Sequence, residues 1–178
     1  VLACLDAGTH YLDITGELRV FQACRAADAK ARAAGVIICP GTGFDIVPTD
    51  CLAAHLRQRL PEAQRIDLAF HFATRPSGGT ARTAVEGLEM GGLVRENHAL
   101  KRVPGGHRIR RIPFRDRPRW CVSLPWADVY TAGLSTGVPD GMVLVAMPLA
   151  ASVLMRLTSP LTPLMATAPA QRLLKHLA

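Results

Sequence analysis

Aromatic residues are scarce: Phe, Tyr and Trp supply 5% of the 178 residues, while the hydrophobic set as a whole supplies 49%. A core built from this chain must be mainly aliphatic. So apolar a chain, with 20% charged residues, is outside the range of intrinsic disorder. The five cysteines (Cys4, Cys24, Cys39, Cys51, Cys121) form no C-x-x-C pair, which argues against a disulfide scaffold or a zinc ribbon. They read as reduced core thiols of a cytosolic protein. The six histidines have neither H-x-x-x-H nor H-E-x-x-H spacing, so no metal is expected. A G-x-S-x-G elbow is missing too, and Ser77 has no evident base. The longest uncharged run, Gly141 to Met155, is 15 residues long and contains Pro148. A spanning helix needs about 20, so this run reads as a buried strand followed by a helix.

Charge of one sign is present but local. The net charge is +7, yet Lys101 to Arg119 holds eight of the 21 Lys and Arg and one acid, Asp116. The rest of the chain is neutral. Pro104, Gly105, Gly106, Pro113 and Pro118 prevent this stretch from forming one helix, so it is expected on a hairpin or sheet edge. Trp120 and Trp126 lie near these arginines, but no recognition helix or RNP-like strand accompanies them, and nucleic acid is not expected.

The first fifty residues have βαβ character. Val1 to Gly8 reads as the end of an amphipathic helix closed by Gly8 rather than as a signal peptide. With no initiator Met, the chain reads as an internal fragment. Thr9 to Asp13 is a short strand. Val20, Phe21, Cys24, Ala27, Ala31 and Ala34 recur at helical spacing, which predicts one helix over 18–34 closed by Gly35. Val36 to Cys39 is a second strand, parallel to the first. Pro48 opens another helix with Leu52, Leu56 and Leu60 on its apolar stripe, ended by Pro61. Ile66, Leu68, Phe70 and Phe72 then alternate as in a half-buried strand. A helix is expected from Thr80 to about Val94, and strands near Ile109 to Phe114, Trp120 to Leu124 and Met142 to Met147. The fold class is α/β: the C-terminal part of a Rossmann-like parallel sheet over 1–47, followed by an α+β domain with a mixed or antiparallel sheet over 48–178.

Ligands of open α/β sheets bind beyond the carboxyl ends of the strands. Here those ends are Asp13-Ile14-Thr15-Gly16-Glu17 and Pro40-Gly41-Thr42-Gly43-Phe44-Asp45, rich in glycine and hydrogen-bonding side chains. Gly41 to Ile46 is not a dinucleotide fingerprint, because Ile46 stands where the third small residue belongs. Ser77-Gly78-Gly79-Thr80 is a small-anion or substrate candidate: two glycines free backbone amides ahead of a helix. Tyr11 and Asp13 have the chemistry of a proton donor or an orienting group, but within a strand a structural role is expected. No catalytic acid is assigned.

Ala3-Cys4-Leu5-Asp6-Ala7-Gly8-Thr9-His10-Tyr11-Leu12-Asp13-Ile14-Thr15-Gly16-Glu17 resembles the "AC…AGTHYxDxTGE" segment of saccharopine dehydrogenase-like oxidoreductases. Gly43-Phe44-Asp45-Ile46-Val47-Pro48-Thr49-Asp50 is similar to their "GFDSxPxD" element, with Ile46 in place of the usual small residue. Ser77 to Thr80, then Pro125-Trp126-Ala127-Asp128 and Ser135-Thr136-Gly137-Val138-Pro139, resemble later landmarks in the family's order. The resemblance implies hydride transfer between NAD(P), with NADP favoured, and a small-molecule or lipid-linked substrate. It also implies that Thr15, Gly16, Glu17, Gly43, Phe44 and Asp45 line the nicotinamide side of a crevice, with the main phosphate loop upstream. The alternative is a non-catalytic binding or membrane-peripheral protein on the same scaffold, using the basic segment and the apolar tail. Candidate partners beyond the substrate are a peripheral membrane contact and a second copy of the chain. The location expected is cytoplasmic or membrane-peripheral.

Overall fold

The run Gly141-Met142-Val143-Leu144-Val145 contains no polar side chain, and a strand of that composition must be covered on both faces. A computed structural model describes residues 1–72 and 91–162, and in it these five residues form the middle of a central strand. The chain divides into two compact units, Val1–Gln64 with Trp126–Val138, and Arg65–Pro125 with Pro139–Ala178. The break falls after residue 64, where the composition had placed a boundary at 47.

In the first unit the elements run α1 (Leu2–Asp6), β1 (Tyr11–Leu12), α2 (Leu18–Ala26), α3 (Asp28–Ala34), β2 (Ile38–Cys39) and α4 (Val47–Arg59), joined by α5 (Asp128–Thr136). β1 and β2 are parallel, with Tyr11 opposite Ile38 and Leu12 opposite Cys39. This two-stranded pair is the extent of the parallel sheet in this unit, so a Rossmann-like sheet is not what the described residues display. The helix expected over 18–34 is two helices. Ala27, at φ −87° and ψ −2°, is the joint between them, and Asp28 stands in the first turn of α3, pairing with Arg32 at 3.0 Å. Phe21 and Ile46 pack with Ala127 into the small core. The apolar stripe expected of α4 points the other way. Leu52, Leu56 and Leu60 are exposed, while Ala53 is completely buried on the side of the helix that packs on α5. Close helix approach selected the small residue over the long ones. Ser135 and Thr136 end α5, and Gly137 closes it at φ +67°.

The second unit is a six-stranded sheet of β3 (Arg65–Phe70), β4 (Gly92–Glu96), β5 (Ala99–Val103), β6 (Ile109–Pro113), β7 (Pro118–Leu124) and β8 (Asp140–Ala146), followed by α6 (Leu149–Thr158). The order is β5-β4-β8-β7-β6, with β3 also on β8. β3 pairs parallel with β8 from Asp140 to Val145, and all other pairs are antiparallel. A strand has two edges, so β4 and β7 share the one that β3 leaves, at Gly141–Met142 and at Val143–Ala146. Val94, Cys121, Met142 and Leu144 form its core. The basic stretch does lie on edges: β5 and β6 end the two sides of the strand order.

The helix expected from Thr80 to Val94 is contradicted at its end, since Val94 is in β4; residues 80–90 lie outside those described. The missed signal was the turn that follows. Glu96 faces Ala99 across a two-residue loop, Asn97-His98, with both residues at positive φ (49° and 67°). That is the geometry of a type I′ hairpin, usually marked by Asn-Gly rather than Asn-His. The Asn97 amide donates to the Asp140 carboxylate at 2.8 Å and the His98 amide to the Pro139 carbonyl at 3.0 Å, which holds the turn against β8. The cysteines also divide differently from the all-core reading: Cys24 and Cys121 are buried, Cys4 is half-buried, and Cys39 and Cys51 are exposed.

Gly141 carries the β3–β8 pairing. A Cβ there would meet the Ile66 carbonyl oxygen closer than any real Cβ contact, and backbone cannot swing away as a side chain can. Gly141→Ala is therefore expected to destabilise the protein by about 1–3 kcal/mol, the usual cost of overpacking. Urea unfolding measures it. An unchanged midpoint would mean that Ile66 does not sit opposite Gly141.

Candidate functional site

β1 and β2 each end in a loop, and one carboxylate ties the two loops together. Asp13 Oδ1 accepts from the Gly41 amide at 2.8 Å and from the Thr15 amide at 3.0 Å. Its Oδ2 accepts a short hydrogen bond from the Tyr11 hydroxyl. The Asp13 carbonyl accepts from both the amide and the hydroxyl of Thr42, at 2.8 and 2.7 Å. Burial alone would raise the Asp13 pKa, but the bonds from Tyr11, Gly41 and Thr15 outweigh it and hold the carboxyl below its ordinary value. The same bond, with burial adding to it, pushes the Tyr11 hydroxyl up to about 12. The two side chains are bonded to each other, and Asp13 also to the backbone of both loops.

The candidate ligand residues sit on the loops so joined. Thr15 and Gly43 are half-buried; Gly16, Glu17, Phe44 and Asp45 are exposed. The Thr15 hydroxyl accepts from the Glu17 amide at 3.1 Å, and Glu17 caps the N-terminus of α2 with its carboxylate 4.0 Å from Arg19. A Cβ on Gly16 would lie 3.4 Å from Asp45 Oδ2, and one on Gly43 would lie 3.0 Å from the Ile14 side chain, so the two loops are in contact. Gly41 is what lets them close. At φ +71° its missing Cβ leaves room for the Phe21 ring, which a side chain would strike at 2.5 Å. Ile14 and Phe44 stand out from the loop tips, Phe44 with 76% of its surface exposed. The arrangement offers backbone groups, two exposed carboxylates and an aromatic face at the carboxyl ends of parallel strands. Ser77 to Thr80 lie outside the described residues.

Behind Asp45 a polar cluster appears that periodicity did not bring out. Asp128 is 2% exposed and accepts from the Thr49 hydroxyl at 2.6 Å. Asp50 accepts from Thr131 at 2.8 Å and from Ser135 at 2.5 Å. These bonds link α4 to α5 side by side. The signal was available: Asp128, Thr131 and Ser135 are spaced three and four apart on one helical face, inside an otherwise apolar segment. Burial chiefly, with the charges of Asp50 and Asp45 adding to it against the Thr49 bond, raises the Asp128 carboxyl from 3.8 to about 6. Among the described residues no group of three or more His, Cys, Asp and Glu is arranged to hold a metal ion.

No protein-family model matches the sequence, and no curated protein matches it.

The sign of the Asp128 effect follows from its raised pKa. The folded state binds this proton more tightly than the unfolded chain does, so the contribution of Asp128 to stability is fully present below pH 3.8 and is lost as pH rises through about 6. Two pKa units correspond to about 3 kcal/mol. Asp128→Asn, which keeps the acceptor for Thr49, is expected to raise the melting temperature at pH 7.5 and to change it little at pH 4. Thermal unfolding at the two pH values checks this, and a loss of stability at pH 7.5 would contradict it.

Proposed function

We propose that the chain serves an NAD(P)-dependent oxidoreductase of the saccharopine dehydrogenase-like type, and that its first unit holds part of a Rossmann-like dinucleotide site. The single observation behind this reading is the Asp13-centred joining of loops 13–17 and 40–45 at the carboxyl ends of β1 and β2, where open α/β sheets bind ligands. The residues fit the nicotinamide half of a cofactor. Gly16 and Gly43 keep the loop surface free of side chains, Phe44 offers an apolar face for a ring, and Thr15 and Asp45 offer hydrogen-bonding groups beside it. When bound, NADPH would supply the hydride, or NADP would accept it; the chain's own residues orient the ring and set the field around it. The sequence holds no G-x-G-x-x-G turn, so the pyrophosphate has no dedicated helix N-terminus here and affinity rests on the nicotinamide side.

A peripheral membrane reading is favoured by one feature of the second unit. Leu149, Val153, Leu154 and Leu157 are exposed along α6, next to the single charge Arg156. No helix among the described residues is long and apolar enough to cross a membrane.

Amide NMR of the 178-residue chain titrated with NADPH tests the first reading. Weak, saturable shifts confined to Thr15–Glu17 and Gly41–Asp45 are expected, and Asp45→Ala is expected to weaken them with little change in melting temperature, since exposed carboxylates contribute little to folding. Shifts elsewhere, or none at millimolar NADPH, would sink the reading.

A further inference from the structure

The second unit contains a cavity of about 440 Å³ that neither reading above uses. Its floor is apolar, with Val94 and Met142 from the core. Its walls carry Arg65 at the start of β3, Arg95 and Glu96 at the end of β4, His107 and Arg108 leading into β6, and Arg110 within it. We propose that this cavity binds a small molecule through a phosphate or carboxylate group held by the wall arginines. This assignment does not depend on the oxidoreductase reading.

The first argument is charge. Asp67 is shared by Arg65 at 2.9 Å and Arg110 at 2.7 Å, and Glu96 is taken by Lys101 at 2.8 Å. Four arginines thus line the cavity, and the two carboxylates that meet its charged residues, Asp67 and Glu96, are both engaged. Among the described residues no carboxylate pairs with Arg108.

The second argument is position. Arg108 is at the exposed edge of the sheet, yet its backbone is fixed from both sides by Ser123. The Arg108 amide donates to the Ser123 hydroxyl at 3.0 Å, and the Ser123 amide donates to the Arg108 carbonyl at 2.9 Å. Ser123 is 2% exposed, so this anchor does not move with solvent. Gly105 and Gly106 approach the end of α6, the Gly105 amide donating to Ser159 Oγ at 2.7 Å, which holds the segment leading to His107. The anchor fixes where the Arg108 side chain leaves the sheet, and a guanidinium presents a planar fork that matches two oxygens of a phosphate or carboxylate. Burial first, and then the charge of Arg108, lower the pKa of His107, so near neutrality it is an uncharged hydrogen-bonding group beside the fork. The volume falls within the range of small-ligand pockets, and a concave cavity suits a discrete ligand better than an extended polymer.

The test titrates the full chain with inorganic phosphate and, separately, with succinate at constant chloride, followed by amide and arginine Nε NMR. Saturable shifts at Arg65–Asp67, Val94–Glu96 and His107–Arg110 are expected. Arg108→Ser is expected to weaken binding by roughly tenfold, the order of one charge-assisted contact. Arg108→Lys, which keeps the charge and removes the fork, is expected to be intermediate. The control is Arg115→Ser with Arg117→Ser, which removes two charges from the β6–β7 turn and is expected to leave binding unchanged. Absence of saturation, or equal weakening in the control, would overturn the proposal and leave only a diffuse positive field. Sedimentation with phosphatidylglycerol vesicles that disappears in Arg108→Ser would reassign the cavity to a lipid headgroup and overturn the free small molecule.

Discussion

One carboxylate, that of Asp13, holds the first unit in the shape that makes it a candidate ligand site. Two strands of two residues each contribute few ladder bonds, too few to position two long loops. Asp13 supplies what the ladder cannot: its carboxylate oxygens accept hydrogen bonds from Tyr11, Thr15 and Gly41, and its carbonyl accepts two from Thr42. Bonds to a charged acceptor are roughly twice as strong as neutral ones, and each here also satisfies a backbone or hydroxyl donor that would otherwise need water. His10 adds a further pin across the same pair, its Nδ1 accepting from the Ile37 amide at 3.0 Å. The loops carrying Thr15 to Glu17 and Gly43 to Asp45 are thereby set by side-chain chemistry inside the strands.

In the second unit the equivalent constraint is apolar. β8 is buried from Gly141 to Val145 and pairs with three other strands, so its register fixes theirs. Burying side chains of this size contributes about 1.5–3 kcal/mol each. That scale dwarfs the exposed ion pairs on the rim, such as Lys101–Glu96. The charges consequently organise surfaces and cavities, and the aliphatic strand organises the fold. The cavity is a by-product of that order: β3, β4 and β6 bring arginines to one place because each is tied, directly or through β7, to β8.

Much of the element content was legible in the chain. The two early strands, their parallel pairing, the alternating strand from Ile66, the three later strands and the strand-then-helix after Gly141 follow from period and turn residues. The helix break at Ala27 was not legible, because Ala is the best helix former and nothing in the local spacing marks a stop there. The exposed leucines of α4 were misjudged for a related reason. Periodicity finds an apolar stripe but cannot tell that a partner helix will approach closely enough to need Ala53 instead. The Asn97-His98 hairpin was hidden because its positive φ values fall on residues that only sometimes adopt them.

The sequence by itself determined local matters: most of the strands and helices, that the positive charge is confined to one stretch, and that two glycine-rich loops follow two short strands. These depend on residues within a few positions of one another. Only the tertiary structure decided that Asp13 reaches Gly41 and Thr42, that Asp50 and Asp128 meet Thr131 and Thr49 across two helices, and that Arg65, Arg95 and Arg108 share a cavity. Those contacts span tens of residues. They arise from strand pairing and helix packing, whose free energy comes from burial summed over whole faces, and no local spacing encodes such a sum.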